Sequence, residues 1–215
     1  MLIKTLCYSL LGFSLFFAGC SGGVSTKEHV VYEEPIEYPD ENAPLDNGDY
    51  YYINNQKNIS LAEIIINGKD LVLHVGDETL VGDLKRDDKR KYYDNNDNFR
   101  YAVKYKDRES FKLRDSNEEL LWKVKIKEDK ISIANNEEMN NAFDIRIYDG
   151  NRIKLKKSDS EINSMRFDPN SDFLEVEDYS LRGFKSTMAP AVLMIPDMKP
   201  LEKYIICTEL VNFGK

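Results

Sequence analysis

Histidine and carboxylate side chains are the first places to look for catalysis, and this sequence gives little support for it. The 215 residues include two histidines and 38 acidic residues. His74 lies in an apolar, strand-like segment, where a hydrogen-bonded structural histidine is the simpler interpretation. No two-histidine zinc motif, nucleophilic serine elbow or glycine-rich phosphate loop is present. We therefore predict no enzyme activity and no cofactor. The alternative is a carboxylate-dependent hydrolase of the cell envelope.

Two loops place oxygen ligands at alternate positions, as a calcium loop does. They are Asp94–Asn98 and Asp168–Asp172. A calcium loop needs glycine at its sharp turn, and Phe99 and Phe173 occupy that position. We therefore predict turns stabilised by Asp and Asn side chains, and no metal site.

Basic residues alternate with apolar residues along several segments, which is typical of a sheet with one buried and one wet face. The predicted outward set is Lys104, Lys106, Lys112, Arg114, Lys123, Lys125, Lys127, Arg152, Lys154 and Lys156. This candidate face has two interpretations. In the first, the face binds anionic lipid, lipopolysaccharide or a cell-wall polymer. In the second, the lysines keep the sheet soluble and acids from nearby turns neutralise them. From Asp49 onward there are 28 basic and 31 acidic residues, a balance that argues against a nucleic-acid partner.

Residues 1–19 have the features of an export signal. Lys4 precedes an apolar run of about 13 residues, Thr5–Phe17, whereas a membrane-spanning helix needs about 20. The run ends in Phe17-Ala18-Gly19-Cys20, which resembles the lipobox of bacterial lipoproteins. The resemblance implies cleavage before Cys20, a diacylglycerol thioether on its sulfur, and acylation of the new amino terminus by a fatty acid such as palmitate. Ser21 implies the outer membrane if the cell is Gram-negative.

Residues 20–48 are predicted to form a disordered tether between the lipidated cysteine and a folded domain. The stretch holds seven acidic residues, three prolines and one basic residue, Lys27, and it lacks a sustained apolar period. Repulsion between like charges extends such a chain.

Residues 49–215 are predicted to form a mainly β domain, an antiparallel meander of hairpins of about 21 residues that makes a barrel-like sheet. Leu61–Ile66, Asn67-Gly68 and Leu71–Val75 have the pattern of a hairpin. Further along, apolar residues recur at a spacing of 21 positions, in Tyr101, Trp122 and Phe143 and again in Val103, Val124 and Ile145. A fixed period indicates repetition of one supersecondary unit.

The C-terminal segment is predicted to be helical and to pack against the concave side of the sheet. Met188–Ile195 is almost wholly apolar, and Asp197 is placed to cap a second helix that begins near Pro200. A helix that is apolar all round needs enclosure. Cys207 lies in an apolar run and is predicted to be a buried thiol.

The repeated Asp-turn hairpins, the charged outer faces and the apolar C-terminal helix together resemble the tubby, scramblase and LURP-one-related superfold. The resemblance covers about residues 49–213 and implies a β-barrel that wraps a buried C-terminal helix. Tubby-like members bind anionic lipid headgroups, and scramblase-like members are tied to membrane lipids. No residue-level motif of that family matches, so no functional residue is carried over.

Overall fold

The computed structural model of the chain describes residues 48–107, 109–184 and 187–215. These residues form one antiparallel sheet of fourteen strands followed by a 3₁₀ helix, Ala189–Met194, and an α-helix, α1, Pro200–Asn212. The strands are β1 (Asp49–Asn55), β2 (Ser60–Asn67), β3 (Asp70–Val75), β4 (Glu78–Arg86), β5 (Lys89–Tyr93), β6 (Phe99–Asp107), β7 (Ser110–Asp115), β8 (Leu120–Ile126), β9 (Lys130–Ala134), β10 (Phe143–Tyr148), β11 (Arg152–Lys157), β12 (Ser160–Arg166), β13 (Phe173–Val176) and β14 (Tyr179–Arg182). The export signal, Cys20 and nearly all of the predicted tether lie outside the described residues.

The sheet is a meander that curls into a nearly closed barrel. Strands β1 to β12 are neighbours in chain order, and β14 pairs with the free edge of β1. The two edges of the sheet are therefore β12 and β13. Asn163 on β12 donates a hydrogen bond to Glu177, the residue after β13, so the two edges approach each other. The predicted mainly β meander is confirmed.

The 21-residue repeat appears as three consecutive hairpins, β6–β7, β8–β9 and β10–β11, whose first strands place equivalent residues in apolar pairs. Val103 on β6 pairs with Leu113 on β7, and Ile145 on β10 pairs with Leu155 on β11. All four side chains are buried, as is Val124 at the equivalent position of β8. The period therefore comes from one apolar pair that each hairpin contributes to the barrel interior.

The same spacing recurs in the turns at one end of the barrel. Asp94, Asp115 and Asn136 are 21 residues apart, and the side-chain oxygen of each accepts a hydrogen bond from a backbone N–H two or four residues later. Asn55 makes the same turn between β1 and β2. In all four turns the residue three positions later has a positive φ, between 59° and 63°; these residues are Asn58, Asp97, Glu118 and Met139. The loop at Asp94 is thus a side-chain-stabilised turn.

The two C-terminal helical elements fill the barrel. Nine consecutive residues of α1, 202–210, are buried, so the helix is covered on all its faces. All six residues of the 3₁₀ helix are buried as well, and the Lys203 ammonium donates a hydrogen bond of 2.7 Å to the Leu193 carbonyl. Packing of the C-terminal helix against the sheet is therefore confirmed.

The predicted helical conformation of this segment is found in residues 189–194 as a 3₁₀ helix, with Pro190, which lacks an N–H, in the first turn. One local prediction was wrong. Asp197 does not cap α1, because the N-cap is Lys199, which has no side-chain capping bond. Asp197 is instead exposed, with its carboxylate 3.5 Å from the Lys157 ammonium. Pro200 does open the helix, where its missing N–H costs nothing.

Among the described residues, none of the helices is both long and apolar enough to cross a membrane.

Candidate functional site: a lysine row on the outer wall

Four lysines lie side by side on the outer wall of the barrel. In the sheet register Lys89 on β5 faces Lys104 on β6, Lys104 faces Lys112 on β7, and Lys112 faces Lys123 on β8. We call this set the lysine row. Neighbouring strands lie about 4.8 Å apart, so the row is about 14 Å long. Like charges directly opposite each other destabilise a sheet, so the lysine row needs nearby negative charge to offset the repulsion between its ammonium groups.

Two glutamates from turns supply part of that charge. Glu118 lies 2.7 Å from the Lys89 ammonium, while Glu137 lies 2.7 Å from that of Lys112 and 3.4 Å from that of Lys123. A hydrogen bond from Lys112 is the main cause of a lowered pKa at Glu137, opposed by partial desolvation. Lys104 is exposed and has no ion pair with a described residue.

The rest of the predicted face divides into separate parts. Lys106, Lys125 and Lys127 are exposed on the same side as the row, without an ion pair to a described residue. Arg114 stands 3.5 Å from Glu137. The seven residues therefore belong to one region, on β6 to β8 and the turn that follows β8: Lys104, Lys106, Lys112, Arg114, Lys123, Lys125 and Lys127.

The three basic residues of β11 lie apart from this region. Strands β9 and β10 separate them from β8. Arg152 and Lys154 each lie 2.7 Å from Glu161, and Lys156 stands opposite Asp144 in the register. Acids on neighbouring strands thus offset this group, which matches the interpretation of the lysines as solubilising charges. Strands β9 and β10 therefore divide the predicted outward set into two groups.

Sequence reasoning missed Lys89, which completes the row. Lys89 lies in the run Arg86–Lys91, where charged residues occupy every position and hide the alternation. Arg90 points inward and is 2% exposed, although arginine normally marks a wet position. Tyr92, two residues later, is fully buried, and because alternate residues of a strand share a face, this tyrosine could have indicated that Arg90 faces inward.

Arg90 belongs to a polar cluster inside the barrel. The fully buried carboxylate of Glu209 on α1 accepts hydrogen bonds from the Tyr92 and Tyr105 hydroxyls at 2.8 and 2.7 Å, and lies 3.3 Å from Arg90 Nε. Burial raises the pKa of Glu209, against the opposing effect of Arg90 and the two hydroxyls. Because the Glu209 carboxylate and both hydroxyls have partners here, the cluster fixes α1 against β5 and β6.

His74 and Cys207 have structural environments. The His74 Nδ1 atom is 2.8 Å from the Thr79 hydroxyl on the neighbouring strand. Cys207 is fully buried, as predicted, and burial raises the pKa of its thiol. A thiol that stays protonated is a poor nucleophile.

An open pocket of about 400 Å³ lies at the end of the barrel opposite the turns at Asp94 and Asp115. The lining includes three aspartates, Asp87, Asp88 and Asp107. A carboxylate-dependent hydrolase would need acids in such a pocket. Asp107 accepts a hydrogen bond from the Glu109 N–H, and Asp88 stands 3.7 Å from Arg86. No group of three metal-ligating side chains occurs among the described residues. The hydrolase alternative stays an untested prediction.

Comparison of the chain with protein-family models, with curated proteins and with solved structures finds no match. The nearly closed barrel and its buried C-terminal helix agree with the architecture that the resemblance to the tubby-like superfold implies. That agreement concerns architecture alone, so function is argued from the residues.

Proposed function

We propose that the protein is a lipid-anchored envelope protein whose barrel binds an anionic lipid headgroup or envelope polymer on the lysine row, without catalysis. The observation that carries the proposal is the position of Lys104. It lies between Lys89 and Lys112 in the register and lacks an ion pair with a described residue. An anionic group bound above Lys104 would offset like-charge repulsion that the protein itself leaves in place.

The spacing of the row suits a ligand with several negative charges. Ion pairs on an exposed surface contribute little individually, and salt screens them over about 8 Å at physiological ionic strength. A surface of many headgroups or a charged polymer makes several such contacts at once, which a single small anion does not. The resemblance to the tubby-like superfold supports this choice, because tubby-like members bind anionic headgroups.

Glu137 has a specific place in this proposal. Its carboxylate shares Lys112 and Lys123 with the incoming ligand, so it competes with the anion for the same ammonium groups. Removal of its charge should free both lysines for binding. If the lysine row serves solubility alone, Glu137 is needed to neutralise it, and removal of the Glu137 charge should not increase binding of an anion.

Binding can be measured by sedimentation of the chain from residue 20 onward, carrying Cys20→Ala, with phosphatidylcholine vesicles with and without phosphatidylglycerol. We expect binding to the anionic vesicles only, with weakening as salt is raised. Lys104→Gln together with Lys112→Gln should weaken it about tenfold, and Glu137→Gln should strengthen it. Purified lipopolysaccharide, added as a competitor, tests whether an anionic glycolipid of the envelope binds the same surface.

The matched control is Lys57→Gln, which removes an exposed lysine from the turn after β1. It should leave vesicle binding unchanged. Equal binding by the wild type and by the Lys104 and Lys112 double variant, with both folded, would rule out the lysine row as the binding surface.

The proposed anchor predicts where a fatty acid is attached. Cells fed labelled palmitate should label the wild-type chain and the Cys7→Ala variant, and should not label Cys20→Ala. Each buried methylene contributes about 0.8 kcal/mol, so two or three chains hold a protein durably at a membrane. Labelling of Cys20→Ala at the wild-type level would show that the lipobox interpretation is wrong.

A further inference from the structure

The open pocket lies where α1 ends, and turns at that end of the barrel surround it. The turn between β2 and β3 contributes Lys69, the turn between β4 and β5 contributes Asp87 and Asp88, and the end of β6 contributes Lys106. Phe213, directly after α1, forms part of its wall. A volume of about 400 Å³ lies within the range of pockets that hold small molecules.

The most buried charged side chain of the pocket lining is Arg90, which is 2% exposed. Its Nε atom donates to the Tyr105 hydroxyl at 3.1 Å, and its Nη1 atom donates to the carbonyls of Lys69 and Gly82 at 2.5 and 2.8 Å. No described residue accepts a hydrogen bond from Nη2. The solvent-inaccessible side-chain atoms without a partner among the described residues are Arg146 Nε and Thr187 Oγ1. Nη2 is not one of them, so it belongs to the small part of Arg90 that solvent reaches, and Arg90 is a lining residue of the pocket.

The pocket wall beside Arg90 is aromatic. The ring of Phe213 stacks on that of Phe111 with centroids 5.8 Å apart and an angle of 6° between planes. Tyr105 meets Phe213 edge-on at 5.7 Å. Leu84 adds an aliphatic side chain to the lining. A ligand body that contacts this wall gains from burial of apolar surface.

We propose that this pocket binds a small monocarboxylic acid with an aromatic or aliphatic body. The carboxylate accepts hydrogen bonds from Arg90 Nη2, and the body lies along Phe213 and Tyr105. Lys69 and Lys106 at the mouth favour entry of an anion. Asp87, Asp88 and Asp107 in the lining, with Glu209 3.3 Å from Arg90, oppose further negative charge, so a single carboxylate is favoured over a more highly charged ligand such as phosphate. This site is separate from the lysine row and does not depend on it.

The test uses the full chain in detergent and 3-phenylpropionate as the probe, with binding followed by isothermal titration calorimetry. We expect saturable binding at one site. The neutral amide of the same shape, 3-phenylpropanamide, should bind about tenfold more weakly, because a hydrogen bond to a charged acceptor is replaced by one to a neutral acceptor. Inorganic phosphate should not compete.

Two variants locate the site. Phe213→Ala, which shortens the aromatic wall, should weaken binding about tenfold, and Lys57→Gln at the opposite end of the barrel should leave it unchanged. Arg90→Gln should abolish the preference for the acid over the amide if the variant folds. If it does not fold, Phe213→Ala and the comparison of acid with amide still decide. Absence of saturable binding, equal affinity for acid and amide, or binding that Phe213→Ala leaves unchanged would each overturn the proposal.

Discussion

Asp94 shows how one side chain organises a turn and responds to pH. Its carboxylate accepts hydrogen bonds from the Asn98 backbone N–H at 3.0 Å and from Arg100 at 3.2 Å. Loss of water around the carboxyl raises its pKa, but these hydrogen bonds outweigh that effect and lower the pKa to about 2, from the ordinary 3.8. Because the folded state holds the ionised form, Asp94 stabilises the fold above pH 3.8, and this contribution is lost as the pH falls toward 2.

The Asp94→Asn variant should keep the turn and remove its negative charge. Asn55 and Asn136 make the same turn in this protein, so the variant keeps the backbone hydrogen bonds and loses the ionised group. We expect it to be less stable than the wild type at neutral pH, with the difference closing as the pH falls through the range from 3.8 to about 2. Urea unfolding midpoints at a series of pH values measure this. Asp159→Asn, in an exposed turn, is the control. A stability difference between the wild type and Asp94→Asn that is the same at all pH values would contradict a role for the ionised Asp94.

At the scale of elements, the four equivalent turns carry different residues at the position with positive φ. Asn58 and Asp97 tolerate this conformation, whereas Glu118 and Met139 are strained in it because their side chains crowd the backbone. Met139→Gly should therefore stabilise the domain by about 1 kcal/mol. Asn58→Gly, the same change at a tolerant residue, should alter stability much less. Chemical denaturation measures the stability of both variants. If Met139→Gly and Asn58→Gly change stability equally, backbone strain at positive φ is not the cause of the change.

Alternation and period identify most of the elements from sequence, because a barrel wall has one apolar and one wet face. The hairpin at Asn67-Gly68 and the repeat through Tyr101, Trp122 and Phe143 follow from that rule and are confirmed. The rule fails where a strand carries a buried charge. Arg90 points inward because Glu209, far along the chain, compensates it, and no local pattern reports that pairing.

Long-range pairing also explains what sequence reasoning left out. The closure of β1 on β14 joins Tyr52 to Arg182 and is a property of the curled sheet rather than of either segment. Lys104 was identified as an outward lysine, but its neighbours across the strands depend on the registers of the β5–β6 and β6–β7 pairs, each of which contains a bulge. The pocket at Arg90 brings together turns that are distant in sequence.

At the scale of the whole molecule, the C-terminal elements are the barrel's core. Leu193 is fully buried, so Leu193→Ala should destabilise the domain by about 3–5 kcal/mol, and Leu193→Asp should prevent folding by burial of an unpaired charge. Ile162→Ala on the outside of β12, where the side chain is 41% exposed, should change stability by less than about 0.5 kcal/mol. Thermal melts followed by circular dichroism measure all three.

Ending the chain after residue 186 extends the same prediction. The truncated chain lacks the 3₁₀ helix and α1, and net stabilities of domains are only about 5–15 kcal/mol, so it should not fold. A truncated chain that kept its β-sheet spectrum and a cooperative melt would place the helices outside the structural core.

The pairing of β1 with β14 sets the time at which the barrel is completed. The first strand acquires its second neighbour only after residues 179–182 are available, and the interior is filled only after α1 arrives. The contacts between β1 and β14 join residues more than 120 positions apart, and contacts of such high contact order form slowly, so closure of the barrel should be a late step of folding. If the proposed export is correct, a chain that folds late would still be unfolded when it enters a narrow secretion channel.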